Sequence, residues 1–167
     1  MKTTVAILGS ARPEGQVLAH SLANAGFPLR LMCSQHEDLI ALAAELNETY
    51  PNADIDYSFA DRETTWEADV IIPAAPFVLF NTITEKIKDV ITGKVLIMIP
   101  DALFTQQTCE KTEQAEVEES LHKTLPYTKL VNAQLPEKGL LTIRDEQMAL
   151  DVRQIVGKLD LAAIGTP

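Results

Sequence analysis

Basic residues are scarce in this chain. Fourteen lysines and arginines stand against twenty-four aspartates and glutamates in 167 residues, a net charge of −10. A surface of that sign repels phosphate polymers, which argues against DNA, RNA or an anionic membrane as partner. Cysteine is scarcer still: Cys33 and Cys109 are two and far apart, so no disulfide scaffold is expected. The three histidines, His20, His36 and His122, have no Cys or His neighbour at metal-ligand spacing, and no metal site is expected either. No segment approaches the roughly 18 to 20 apolar residues of a membrane span. Linkers, repeats and low-complexity tracts are missing. Met1-Lys2-Thr3-Thr4 runs directly into an apolar stretch, without the layout of a signal peptide. These absences predict a single cytoplasmic domain over residues 1–167, long enough to bury a core.

What is present is alternation. Apolar runs that suit strands fall at Thr4–Leu8, Leu29–Cys33, Ile55–Phe59, Val70–Ala74, Val95–Ile99, Lys129–Ala133 and Leu140–Ile143. Between them lie helical segments at Gly15–Ala25, His36–Thr49, Phe77–Ile91, Glu113–Leu125 and Asp145–Leu159, with a single turn at Thr64–Glu67. Strands such as Val5-Ala-Ile-Leu8 are apolar throughout, the mark of a parallel sheet covered on both faces. The pattern predicts an α/β fold: a Rossmann-like, doubly wound, mostly parallel sheet in three α/β/α layers. Local signals mark some helix ends. Ser34 to Glu37 spells S-x-x-E, a capping box, and Pro76 suits a first helical turn. The acidic stretch Glu110–Glu119 suits a solvated helix face.

The chemistry-bearing segment is Gly9-Ser10-Ala11-Arg12-Pro13-Glu14-Gly15, between the first strand and the first helix. A strand, a glycine turn and a helix N-terminus make an anion site, where free amides and the helix dipole converge on phosphate. In the GxxGxxG spacing the three positions hold Gly9, Arg12 and Gly15. The glycine at the point of closest cofactor approach is therefore an arginine, which adds charge and takes up space. Ser10 can donate a hydroxyl, whereas Pro13 and Glu14 do nothing for an anion. The competing reading is a strand–helix turn kept by the fold alone. After the second strand come Cys33-Ser34-Gln35-His36, with no acid at the strand tip. That favours NADP over NAD: Ser34 and Gln35 can hydrogen-bond a 2′-phosphate, and a protonated His36 would add charge. Ser34 as a bare helix cap explains the same residues. Ala74-Ala75-Pro76-Phe77 ends the fourth strand, where ligands sit in open α/β sheets. Small residues there would let a nicotinamide approach, and Phe77 faces either a ring or the core. Asp101, in the following loop, is either a ribose contact or an ordinary loop aspartate. No Ser-His-Asp, Cys-His or paired-carboxylate set is visible. Hydride transfer requires none, since the cofactor carries that chemistry.

The run Ala68-Asp-Val-Ile-Ile-Pro-Ala-Ala-Pro76-Phe77 resembles the A-D-[IV]-[VI]-[IL]-x-A-V-P-x stretch of the deazaflavin-dependent NADP reductase family, which includes the reductase domains of STEAP-type metalloreductases. Ile87 through Asp101 is similar to the helix and strand that follow it there, and Asp145 through Gly165 to the closing helix and last strand. The resemblance implies a Rossmann fold and hydride transfer between NADP and a small acceptor such as a flavin, a deazaflavin or an imine. Members often take contacts from a dimer partner, so a homodimer is implied too. Three departures weigh on activity. The family's G-G-T-G-x-x-G turn is replaced as described. Its arginine for the 2′-phosphate is Gln35 here. Its A-F-N near the hydride site is Ala133-Gln134-Leu135. Loss of these parts is what a non-catalytic binding or sensing module would show. Gly9-Ser-Ala-Arg-Pro-Glu-Gly15 also resembles the G-S-x-R-x-x-[GS] loop of flavodoxin-like, NADPH-dependent FMN reductases. In that case Arg12 would hold an FMN phosphate.

Overall fold

The structure, a computed structural model, describes residues 3–75, 79–98, 111–134 and 142–143. Seven strands form one sheet: β1 (Val5–Leu8), β2 (Leu29–Met32), β3 (Ile55–Tyr57), β4 (Val70–Pro73), β5 (Val95–Met98), β6 (Lys129–Gln134) and β7 (Thr142–Ile143). Five helices are described: α1 (Pro13–Asn24), α2 (His36–Thr49), α3 (Asp61–Trp66), α4 (Phe80–Ile87) and α5 (Lys111–Thr124). The expected helix Asp145–Leu159 lies outside the described residues.

The strand order is β3-β2-β1-β4-β5-β6-β7. The first six strands run parallel, and β7 pairs antiparallel with β6. This is the doubly wound order of dinucleotide-binding folds, with the direction of winding reversing between β1 and β4. It also corrects one expectation. A flavodoxin-like sheet places its third strand beside the first, whereas here β1 pairs with β2 and β4. The flavodoxin-like alternative does not have this architecture.

Burial explains why the central strands are apolar from end to end. Every residue of β1, β4 and β5 is buried. Successive side chains point to opposite faces, so Val5 and Ile7 join the core beneath α1 and α2, with Leu18, Leu22, Leu39 and Leu46. Ala6 and Leu8 join the second core, with Phe80, Ile87, Leu121 and Leu125 from α4 and α5. Each fully buried Leu, Ile or Phe side chain contributes roughly 1.5–3 kcal/mol relative to exposure. Two layers of such residues hold the sheet rigid and leave its carboxyl edge to the loops.

Several local expectations change. Helix α2 is capped by Gln35, without a side-chain cap hydrogen bond, so the Ser34–Glu37 capping box does not form. The Gln35 carbonyl accepts from the Leu39 amide, and its side-chain oxygen accepts from the Cys33 thiol at 2.9 Å. That geometry starts the helix one residue after the sequence signal. Strand β3 stops at Tyr57, two residues short of Phe59, because Ser58 turns the chain. The Ser58 hydroxyl accepts from the Ala60 amide and donates to Glu63, which opens α3. The sequence predicts a single turn at Thr64–Glu67; the helix starts at Asp61 instead. Its end is closed from afar by Lys94, whose ammonium donates to the carbonyls of Thr65 (2.7 Å) and Trp66 (2.8 Å). Burial pulls the Lys94 ammonium below its ordinary pKa, against the opposing pull of Asp69. Helix α4 begins at Phe80, and Pro76 and Phe77 lie outside the described residues.

Candidate dinucleotide site

The turn from Gly9 to Gly15 sits at the carboxyl end of β1, where the winding reverses. That is the position at which open α/β sheets take their ligands. Its shape depends on the absence of two side chains. Gly9 has φ +80, a conformation that other residues adopt only with strain. A methyl group there would lie 2.6 Å from the Ala74 carbonyl oxygen and 3.3 Å from Arg12 Cδ. A methyl group at Gly15 would lie 2.5 Å from the Gly9 carbonyl oxygen and 2.7 Å from Ser10 Cα. Helix α1 thus packs against the turn more closely than any side chain allows. These are the two structural duties of a dinucleotide turn: the tight bend, and the close seating of helix on strand.

Hydrogen bonds tie the turn to β2. The Gly9 amide (2.8 Å), the Ser10 amide (3.0 Å) and the Ser10 hydroxyl (3.1 Å) all donate to the Met32 carbonyl. Ser10 is fully buried and holds the loop rather than lining its mouth. The Arg12 amide donates to the Gly9 carbonyl at 3.1 Å, and Gln16 steadies the bend from its own side chain, 2.7 Å from the Ala11 carbonyl. Arg12 caps α1 in extended conformation, φ −69 and ψ 154, with Pro13 as the first helical residue. Pro13 has no amide hydrogen, and the ladder begins with Gln16 donating to the Arg12 carbonyl at 2.9 Å. The first-turn amides of Glu14 and Gly15 have no partner within the helix. Arg12 is half-buried, its aliphatic stem lying along Gly9.

The second edge of the site is the β2–α2 turn, where Ser34, Gln35 and His36 are all exposed. Beside it the His36 and Phe59 rings are stacked, 3.9 Å between centroids and inclined by 23°. Tyr57 lies against Phe59 at 5.8 Å. The apolar run to Phe59 suggested a strand, and only the early end of β3 shows that this aromatic belongs to the loop beside β2. The third edge is Ala74, buried and donating its amide to the Leu8 carbonyl at 2.7 Å, with half-buried Ala75 next. The structure thus gathers Gly9, Ser10, Ala11, Arg12, Pro13, Ala74 and Ala75 around one strand end, with Ser34 and Gln35 at the adjacent one. The Glu14 backbone opens α1. Pro76, Phe77 and Asp101 lie outside the described residues. Among the described residues no cluster of His, Cys, Asp and Glu could hold a metal ion, and no helix is long and apolar enough to cross a membrane.

No family model matches the chain, and no curated protein matches it. Solved structures do. A pyrroline-5-carboxylate reductase from Coxiella burnetii superposes with a TM-score of 0.68 at 14% identity, over 97% of this chain and 56% of that one. A Plasmodium falciparum pyrroline carboxylate reductase with NADP bound gives 0.64 at 15% identity, over 96% and 55% of the respective chains. A protein described as an F-420-dependent NADP reductase, from Arthrobacter, also gives 0.64 at 15% identity, over 94% and 81%. The fold is a Rossmann fold. At these identities the likeness concerns architecture, and the chain spans about half the length of the two carboxylate reductases.

Proposed function

We propose that this Rossmann domain binds NADP(H) at its carboxyl edge and serves hydride transfer to or from a small acceptor. The observation that carries the proposal is the double absence of side chains at Gly9 and Gly15. Both are packed against backbone so tightly that a methyl group would overlap carbonyl oxygens. This closeness seats the N-terminus of α1 at the end of β1, where its first-turn amides can reach a phosphate. In this reading the first-turn amides of α1 meet the pyrophosphate, and Arg12 adds the positive charge that the missing glycine cannot. Ala74 and Ala75 leave space for the nicotinamide end. Pro76, Phe77 and Asp101 belong to the same edge by sequence. A bound nicotinamide supplies the hydride itself, so the chain needs neither a nucleophile nor a metal. What it contributes is orientation. The three donors on the Met32 carbonyl hold the phosphate turn at a fixed distance from the ribose turn.

The reductase names of the structural neighbours support this chemistry by analogy of fold. Their greater length suggests that the acceptor is enclosed by further chain, either a second copy of this protein or another segment. The acceptor belongs to the class of flavins, deazaflavins or imines.

One observation favours the rival reading, a binding or sensing module without turnover: the Arg12 stem occupies the flank of Gly9. Thermal-shift titration with NADP, NAD, FMN and FAD separates the two. A ligand at 100 times its dissociation constant adds about 2.7 kcal/mol of stability, a rise of several degrees for a domain of this size. We expect that rise with NADP and none with FMN. If no nucleotide raises the melting temperature, the cofactor reading fails.

A further inference from the structure

We infer that His36, braced on Phe59, discriminates NADP from NAD by donating a hydrogen bond to the ribose 2′-phosphate. This rests on the dinucleotide reading above and adds a specificity-determining residue to it. In the doubly wound fold the ribose of the adenosine half sits at the end of β2, where an acidic residue selects NAD and a cationic one NADP. Here that end carries neither. Residues 31–61 contain no lysine and no arginine at all. The nearest, Arg62, is ion-paired with Asp89. Arg30, earlier in β2, is held by Asp54 at 3.1 Å and Glu67 at 2.8 Å.

The candidate donors at the strand end are therefore Ser34, Gln35 and His36. Gln35 is held by its side-chain oxygen, which accepts from the Cys33 thiol; its amide N–H2 and the Ser34 hydroxyl remain neutral donors, and His36 alone of the three can carry positive charge. His36 is placed differently. Its ring face lies on Phe59, 3.9 Å away and near parallel, while the residue is exposed. Stacking fixes the plane of an imidazole and leaves its edge, which carries the ring nitrogens, for hydrogen bonding. A neutral ring donates one N–H and an imidazolium donates two. The exposed Phe59 also lies beside the ribose position and offers an apolar surface to a purine. Apart from Arg30 of β2 and Arg62 of α3, both ion-paired, the charged groups of β3, of α3 and of the first turn of α2 are acidic: Asp56, Asp61, Glu63, Glu37 and Asp38. None of them competes with His36 as a donor to phosphate.

The test is isothermal titration of the intact protein with NADP, NAD, 2′,5′-ADP and 5′-AMP, repeated on His36→Ala, His36→Arg and Phe59→Ala. His36 and Phe59 are exposed, so these variants fold. The wild type is expected to prefer NADP over NAD, and 2′,5′-ADP over 5′-AMP, by about tenfold, or 1.4 kcal/mol. His36→Ala should reduce both ratios to within about twofold by weakening only the 2′-phosphorylated ligands, whereas His36→Arg should preserve or widen them. Phe59→Ala should lower the ratios by freeing the imidazole. Unchanged ratios in His36→Ala, with binding retained, overturn this proposal and leave the cofactor reading intact. Failure of the wild type to bind either dinucleotide overturns both.

Discussion

Replacing Gly15 by alanine sets two effects of opposite sign against each other. Gly15 lies in the first turn of α1, and alanine in a helix is ordinarily more stable than glycine by up to about 1 kcal/mol. The added methyl would meet the Gly9 carbonyl oxygen at 2.5 Å, Ser10 Cα at 2.7 Å and the Ser10 carbonyl carbon at 2.9 Å. All three are backbone atoms of a loop pinned to Met32, so none can swing aside as a side chain would. Overpacking of this kind costs about 1–3 kcal/mol, and the rigidity of these neighbours puts it near the upper end. The net loss should be about 2 kcal/mol, which for a domain of this length lowers Tm by roughly 4–8 °C. To make room, α1 must retreat from the turn, and NADP affinity should fall with it. Thermal denaturation with and without NADP measures both. If Gly15→Ala melts higher than the wild type, helix propensity has won, and the close seating of α1 cannot be what shapes the site.

Gly93→Ala is the matching control: φ is +79 but no atom lies within 4 Å, so only left-handed strain acts, about 1–2 kcal/mol, with nucleotide binding unchanged. Ser10→Ala removes the buried hydroxyl but leaves two amides on the Met32 carbonyl, and should cost about 0.5–1.5 kcal/mol in chemical denaturation. Arg12→Gly keeps a tolerable helix cap and should weaken NADP about tenfold in calorimetry; tighter binding would show that the arginine obstructs the phosphate path. Lys94→Met deletes both donors to the last carbonyls of α3 and should lower stability by about 1–2 kcal/mol without altering the urea m-value.

The order of elements is legible because the central parallel strands β1, β4 and β5 are buried on both sides, which leaves continuous apolar runs such as Val5–Leu8 and Val95–Met98. Helix α2 was legible to the residue, since apolar positions 39, 42, 43 and 46 share one face. Its cap departs from the S-x-x-E signal because a still more local contact, the Cys33 thiol on the Gln35 side chain, forms there instead and Gln35 takes the cap position. Strand β3 was overextended because an exposed aromatic and a core aromatic look the same in a hydropathy pattern; only the turn at Ser58 separates them. Within the candidate site, Gly9 and Gly15 could be picked out by spacing. The commitment of Ser10 to Met32 could not, because it depends on two strands 22 residues apart coming into register. The His36–Phe59 stack is invisible in sequence for the same reason.

One carbonyl, that of Met32, receives three donors from the neighbouring loop. An oxygen with two lone pairs shared among three hydrogens acts as a common anchor, so the end of β2 and the bend after β1 are displaced as a single body. Any group that grips one of these two ends therefore tugs on the other. Amide resonances of Gly9 and Ser10 should accordingly register a substitution at His36, even in protein that has never met a nucleotide.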